Sequence, residues 1–175
     1  PENFVFVKEC MSILDRELLQ PFVDTTEMFL ATDKIETITL PENALEQWAK
    51  LFDAIRAFEA WQQHGAWVQS VSPRMAEPIK NRLLACSATT RPEYDEACRQ
   101  REKVIEFLKE LLRDRILCVP PIWNYPPARA ASEVDLASNR RKNLLLYSIA
   151  SLGGLPQIVI PLSLPDSEHK FAISL

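Results

Sequence analysis

The chain has 175 residues, of which 47% are apolar and 25% charged, and a formal net charge of −4. That is one ordinary domain's worth of sequence with a folded protein's apolar share, which excludes a disordered tail. The acidic balance speaks against nucleic acid as a partner, because phosphate binding shows as a basic surplus, and no apolar run approaches the roughly 18–20 residues of a membrane span.

In chain order, Phe4 to Val7 reads as a short strand, aromatic and β-branched residues in a row. A helical stretch follows with Met11, Leu14, Leu18 and Phe22 on one face, and Pro21 is expected to start or kink the next helix. Ile35 to Leu40 alternates as a strand and Pro41 ends it. Asn43 with Glu46 has capping-box spacing ahead of a helix whose Leu45, Trp48, Phe52, Ile55 and Phe58 share a face. His64-Gly65 is the expected end of that helix, and Ser72 to Pro78 reads as a loop.

Thr90 and Glu93 repeat the capping-box spacing before the longest helix, with Tyr94, Ala97, Val104, Leu108 and Leu111 on its inner face. Its charged residues read as a solvated surface. Ile116 to Val119 is a buried-strand candidate, followed by the Pro-rich aromatic loop Pro120 to Pro127. Residues 139–152 return to helix, stopped by Gly153 and Gly154. Gln157 to Leu162 and Phe171 to Leu175 read as strands.

The expected fold class is α/β, a mixed sheet with parallel βαβ units flanked by helices. One such unit covers residues 1–40, a helical block covers 41–115, and a second unit plus an antiparallel strand covers 116–175. Strand 116–119 is expected to pair parallel with 157–162. Strand 171–175 should return antiparallel to 157–162 through the polar turn Pro165 to Lys170.

Little in the sequence carries chemistry. The cysteines, Cys10, Cys86, Cys98 and Cys118, form no Cys-x-x-Cys pair and read as reduced thiols of a cytoplasmic setting. The N-terminus has no basic stretch followed by an apolar one, so no secretory leader is expected. His64 and His169 have no ligand spacing to the cysteines or to each other, so no metal is expected. With only Gly65, Gly153 and Gly154, the chain supplies no phosphate-cradling loop, nucleophile elbow or backbone oxyanion hole before residue 153. Ser148 and Ser151 read as helix-terminus serines rather than nucleophiles, and His64 as a helix-end residue.

Three stretches taken together are more specific: Ile116-Leu117-Cys118-Val119-Pro120-Pro121, then Tyr125-Pro126-Pro127-Ala128, then Ser148 through Gly153-Gly154-Leu155-Pro156 to Leu162. They resemble the C-terminal portion of the amidase signature family. The upstream order of Arg56, Phe58, Trp61, His64, Gly65, Trp67, Val68, Arg82, Tyr94, Ala97 and Arg101 is similar to that family's helices. Within the family the chain looks like the small plant and cyanobacterial amidases similar to indole-acetamide hydrolases, and like their non-enzymatic relatives in chloroplast protein import. The resemblance implies hydrolysis of a carboxamide by a Ser–cis-Ser–Lys triad in a Gly/Ser-rich stretch N-terminal to everything seen here. No catalytic residue is therefore carried over, and the chain alone is expected to be inactive.

No cofactor is implied. The implied partners are the remainder of the amidase domain and a small-molecule amide, with neither nucleic acid nor a membrane span. The matching loop in the family lies beside the acyl group, which makes Trp123 and Tyr125 the candidate substrate-binding residues. Pro120-Pro121 departs from the family's usual Pro-Thr and leaves the shape of that wall open. The alternative reading is a non-catalytic, amidase-like binding module of the import-receptor kind.

Overall fold

The computed structural model describes residues 3–32, 35–163 and 170–175. Three short strands form a parallel sheet: β1 (Asn3–Val7), β2 (Glu36–Ile38) and β3 (Arg115–Cys118), in the order β2-β1-β3. Alternation along β1 divides the molecule, because successive side chains of a strand point to opposite faces. Val5 and Val7 enter one core and Phe6 the other.

The first core is helical. It is built from α1 (Lys8–Ile13), α3 (Ala44–Val71), α5 (Arg91–Leu111) and α6 (Glu133–Gly153), which bring Cys10, Trp48, Leu108, Leu146 and Leu152 together against the sheet. On the other face, α2 (Arg16–Phe29) and a ladder of β4 (Val159–Ser163) with β5 (Lys170–Ser174) enclose Phe6, Phe22, Phe171 and Ile173. Phe22 lies 6.0 Å from the Phe6 ring and 5.8 Å from Phe171, so three aromatics from three elements form the centre of this second core. A short helix, α4 (Glu77–Ala85), and a 3₁₀ turn at Cys86–Ala88 cover the far end of α3. Among the described residues no helix is long and apolar enough to cross a membrane.

The α/β class holds, and so does the parallel unit at the start of the chain, where Val5, Phe6 and Val7 face Glu36, Thr37 and Ile38 in register. The expected parallel pairing of strand 116–119 with 157–162 does not form. β3 pairs with β1, Phe4 opposite Ile116, and β4 lies in a separate two-stranded ladder with β5. The strand that meets β3 is β5, antiparallel, through Val119 and Ser174, whose mutual N–H···O bonds are 3.0 and 2.9 Å. α6 joins the helical layer, while the strand after it, β4, packs on the opposite face. That crossing leaves β5 beside the end of β3 and puts β4 outermost. The antiparallel return of β5 along β4 is as expected, with Ile160 opposite Ile173; the polar turn expected before it falls, up to residue 169, outside the described residues.

Helix boundaries differ from the expectation at several points, among them the start of α6, which begins at Glu133 rather than at residue 139. The first break falls at Leu14-Asp15, and Pro21 is accommodated inside α2. The Asp15 carboxylate caps the new helix by accepting the Glu17 N–H at 3.1 Å, and burial of Leu18 and Phe22 offsets the hydrogen bond that Pro21 cannot make. At α3, Asn43 is left-handed (φ 57°), so its side chain makes no cap, and Glu46 pairs instead with Arg141 of α6. α3 also runs through His64-Gly65 to Val71. Gly65 is no terminator: a Cβ there would come within 2.8 Å of the Trp61 ring, so its bareness makes room for that indole. α4 occupies a stretch that begins at the end of the expected loop, with Pro78 in its first turn. The cap of α5 forms as expected, Thr90 and Glu93 bonding reciprocally, and Gly154 ends α6 in the left-handed conformation (φ 63°).

Candidate functional site

The loop from Pro120 to Pro127 leaves the C-terminal end of β3, where a buried Cys118-Val119-Pro120 run anchors it. The C-terminal ends of strands in α/β sheets commonly collect ligands. Four prolines remove most of the loop's freedom. Polar side chains from two helices fix what remains.

From α6, Asn143 accepts the backbone N–H of Trp123 at 3.1 Å and Asn139 accepts its indole Nε1–H at 2.8 Å. From the start of α2, the Asp15 N–H donates to the Trp123 carbonyl at 2.9 Å, and the Asp15 carboxylate accepts the Asn124 side-chain amide at 3.1 Å. The Asn124 side chain in turn accepts the Tyr125 N–H at 2.7 Å. Asp15 thus caps a helix and ties down the loop with one side chain.

Trp123 is half-buried against the helical core, and the Lys142 ammonium lies 3.5 Å from the centre of its ring. At that distance the ring's negative face attracts the cation, by about 0.5–2 kcal/mol. Tyr125 packs into the second core, edge-on to Phe171 at 6.4 Å. Together with Pro126, Pro127, Asp135, Ser138 and Asn139 the two aromatics line an open cleft of about 360 Å³. Its chemistry is that of a recognition wall. It offers apolar rings, a carboxylate and a hydroxyl, all on fixed backbone. The sequence points to Trp123 and Tyr125 but not to Asp15, Asn139, Lys142 or Asn143. A signal for two of them exists, since Asn139 and Asn143 are four residues apart and so share a helix face that borders a core.

The other chemistry-bearing side chains lie apart from this cleft. Ser148 is fully buried, its hydroxyl donating to the Leu145 carbonyl at 3.2 Å within α6. Ser151 borders a different cleft with Arg56, Glu59 and Arg101, and His64 is exposed on α3. Burial pushes the Cys118 thiol up to about 12, against an opposing hydrogen bond from the Val5 backbone, and burial likewise raises Cys10 well above the ordinary thiol range. Neither forms a thiolate nucleophile near neutral pH. No group of three or more His, Cys, Asp or Glu side chains that could hold a metal ion occurs among the described residues.

No protein-family profile matches the chain. Among curated proteins it is 31% identical over 105 residues to Amidase 1 of Arabidopsis thaliana, a match covering 59% of this chain and 25% of that protein. It is 25% identical over 134 residues to the chloroplastic outer envelope protein 64 of Arabidopsis thaliana, covering 76% of this chain and 22% of that one. Of solved structures, an amidase crystal structure superposes with a TM-score of 0.79 at 22% identity, over 99% of this chain and 41% of that chain. A bacterial aryl acylamidase of the amidase signature enzymes superposes with a TM-score of 0.66 at 9% identity, over 99% and 39%. At those identities the superpositions speak for the fold alone. The chain spans about a quarter of the length of the curated relatives it matches. In sequence and in fold, the chain resembles the C-terminal portion of an amidase signature protein.

Proposed function

We propose that this chain forms the pocket-wall region of an amidase-type hydrolase that cleaves a carboxamide with a serine nucleophile supplied from outside residues 1–175. The observation that carries the reading is the 31% identity to Amidase 1. In such a reaction the serine oxygen attacks the amide carbon, backbone N–H groups hold the oxyanion, and ammonia or an amine leaves. The part given to this chain is to present Trp123, with Tyr125 close by, to the acyl side of the substrate. The rigid anchoring by Asn139, Asn143 and Asp15 supports that part, since an aromatic already fixed loses little freedom on binding. A reducing, cytoplasmic setting is proposed with it, supported by four free thiols, three of them buried.

A second reading is favoured by coverage. The outer envelope protein matches 76% of the chain, Amidase 1 only 59%. On that reading the same fold is a non-catalytic binding module. The two separate in one experiment on a longer natural protein that contains this chain: a serine-reactive fluorophosphonate probe with an ammonia-release assay on an aryl-acetamide. The hydrolase reading expects labelling outside residues 1–175, with turnover. Labelling of Ser148, Ser151 or Ser163 with turnover would move the nucleophile into this chain. Absence of both labelling and turnover would leave the binding module.

A further inference from the structure

Another cleft, about 610 Å³, opens between α3, α4 and α6, lined by residues of α6 other than those that hold the Trp123 loop. Its composition runs against that of the chain. Four arginines line it, Arg56, Arg82, Arg140 and Arg141, with Asp53 as the one acidic residue, in a chain whose net charge is −4. A fifth of the chain's 20 basic residues thus surround one opening.

The four are not equally engaged. Arg56 pairs with Asp53 at 3.0 Å, and Arg141 pairs with Glu46. Among the described residues Arg82 spends only its Nε–H, on the Pro78 carbonyl of its own helix at 3.2 Å, and its terminal guanidinium nitrogens have no partner there. Arg140 makes no hydrogen bond or ion pair among the described residues. Two guanidinium groups from facing helices, α4 and α6, therefore remain with donors to spare. A guanidinium's planar donors match the two oxygens of a carboxylate.

The floor of the cleft is apolar. Leu144 and Cys86 are buried there, and Leu83 and Ala137 add to it. Tyr147 stands at one wall, 39% exposed and held edge-on to Phe52 at 5.9 Å. Exposed Ile79 completes the rim on α4. A cationic rim over an apolar floor suits an anion with a flat apolar body better than a bare inorganic ion. Solvated surface charge would account for scattered arginines, but less readily for two with spare donors that line one cleft with buried Leu144 and half-exposed Tyr147.

We infer that this cleft binds a small organic carboxylate, its carboxyl group taken by Arg82 and Arg140 and its apolar body laid against Leu144 and Tyr147. The test is a calorimetric titration of the protein with 2-naphthoate and, in parallel, with the uncharged 2-acetonaphthone of nearly the same shape. The inference expects naphthoate to bind at least about tenfold more tightly than the ketone, since a charge-assisted hydrogen bond carries that much. The double substitution R82A/R140A should remove that advantage. Both side chains are exposed and neither makes a tie to another element, so the fold is expected to survive, with circular dichroism as the check. A charge-matched control, R99A on α5 with R113A in the turn after it, should leave binding unchanged. Equal binding of acid and ketone would overturn the inference. So would equal weakening by the control pair, which would reduce the effect to net charge, or displacement of naphthoate by equimolar inorganic phosphate, which would make the apolar floor irrelevant. Binding that survives R82A/R140A but is lost in W123A would place the probe in the other cleft and overturn it as well.

Discussion

Trp123 has two roles open to it, and its contacts define how to tell them apart. Its backbone and indole are fastened to α6 and α2, while one edge of the ring borders the 360 Å³ cleft. If the ring meets substrate, W123A in a longer, active protein lowers kcat/KM chiefly for a bulky aryl-acetamide. Against a small aliphatic amide, the lost discrimination is about 1–3 kcal/mol. If the ring serves only the core, both substrates suffer alike and the melting temperature falls. The aromatic pair was legible in the sequence because four prolines around two large rings rule out helix and central strand and leave a stiff loop. The residues that hold the loop were not. Asp15 lies more than a hundred positions away from it, and a capping aspartate looks the same in sequence whether or not it holds anything else. Glu46 teaches the converse. Its spacing to Asn43 is that of a capping box, yet the guanidinium of Arg141, invisible to a local pattern, takes the carboxylate.

Helix starts and stops make the next predictions. Thr90 donates its backbone N–H and its hydroxyl to Glu93, both at 2.7 Å, and these bonds hold the Glu93 carboxyl below the usual carboxylate range. A carboxylate whose folded pKa lies below its unfolded value, about 4.3, stabilises the fold above that pH. The contribution is lost as the pH falls through the lower, folded value. Hydrogen exchange at the start of α5 is therefore expected to lose protection below about pH 4, and E93Q to remove that pH dependence. T90A is expected to cost about 1 kcal/mol in denaturant titrations at neutral pH. At the end of α6, a side chain on Gly154 would meet open space, its nearest neighbour being Arg101 at 3.8 Å, so only backbone strain opposes substitution. G154A is expected to destabilise by about 1–2 kcal/mol and G154N by clearly less, since asparagine tolerates the left-handed region. An equal cost for both would mean that the position is not held left-handed in solution. The cap at Thr90 and the stop at Gly154 were readable because each rests on residues three or four apart. The overrun of α3 past Gly65 was not, because a glycine that makes room for Trp61 and one that ends a helix look identical in sequence.

At the scale of the molecule, the parallel β1-β2 unit followed from strand, helix and strand in quick succession, but the place of β4 did not. Periodicity identifies a strand without naming its neighbour, and here a strand end, Val119, chose β5 over β4. The result is an outermost strand with β5 as its only described partner and with exposed apolar residues where it starts, Ile158 at 64% and Val159 at 53%. Unpaired strand edges of this kind are templates for association. Light scattering of the concentrated chain is expected to show association that V159K suppresses; a monodisperse wild type would mean that the edge is shielded. The same topology sets a clock. β1 lies between β2 and β3, and its Asn3 side chain reaches Asp114, 111 residues further on. A ribosome adding about 5–20 residues per second needs on the order of 5–20 s to deliver that partner. For that interval Phe4 and Phe6 have β2 on one side and nothing on the other, so the newborn chain is a client for any holdase that reads exposed aromatic strands, and slowing translation between residues 40 and 115 lengthens its exposure.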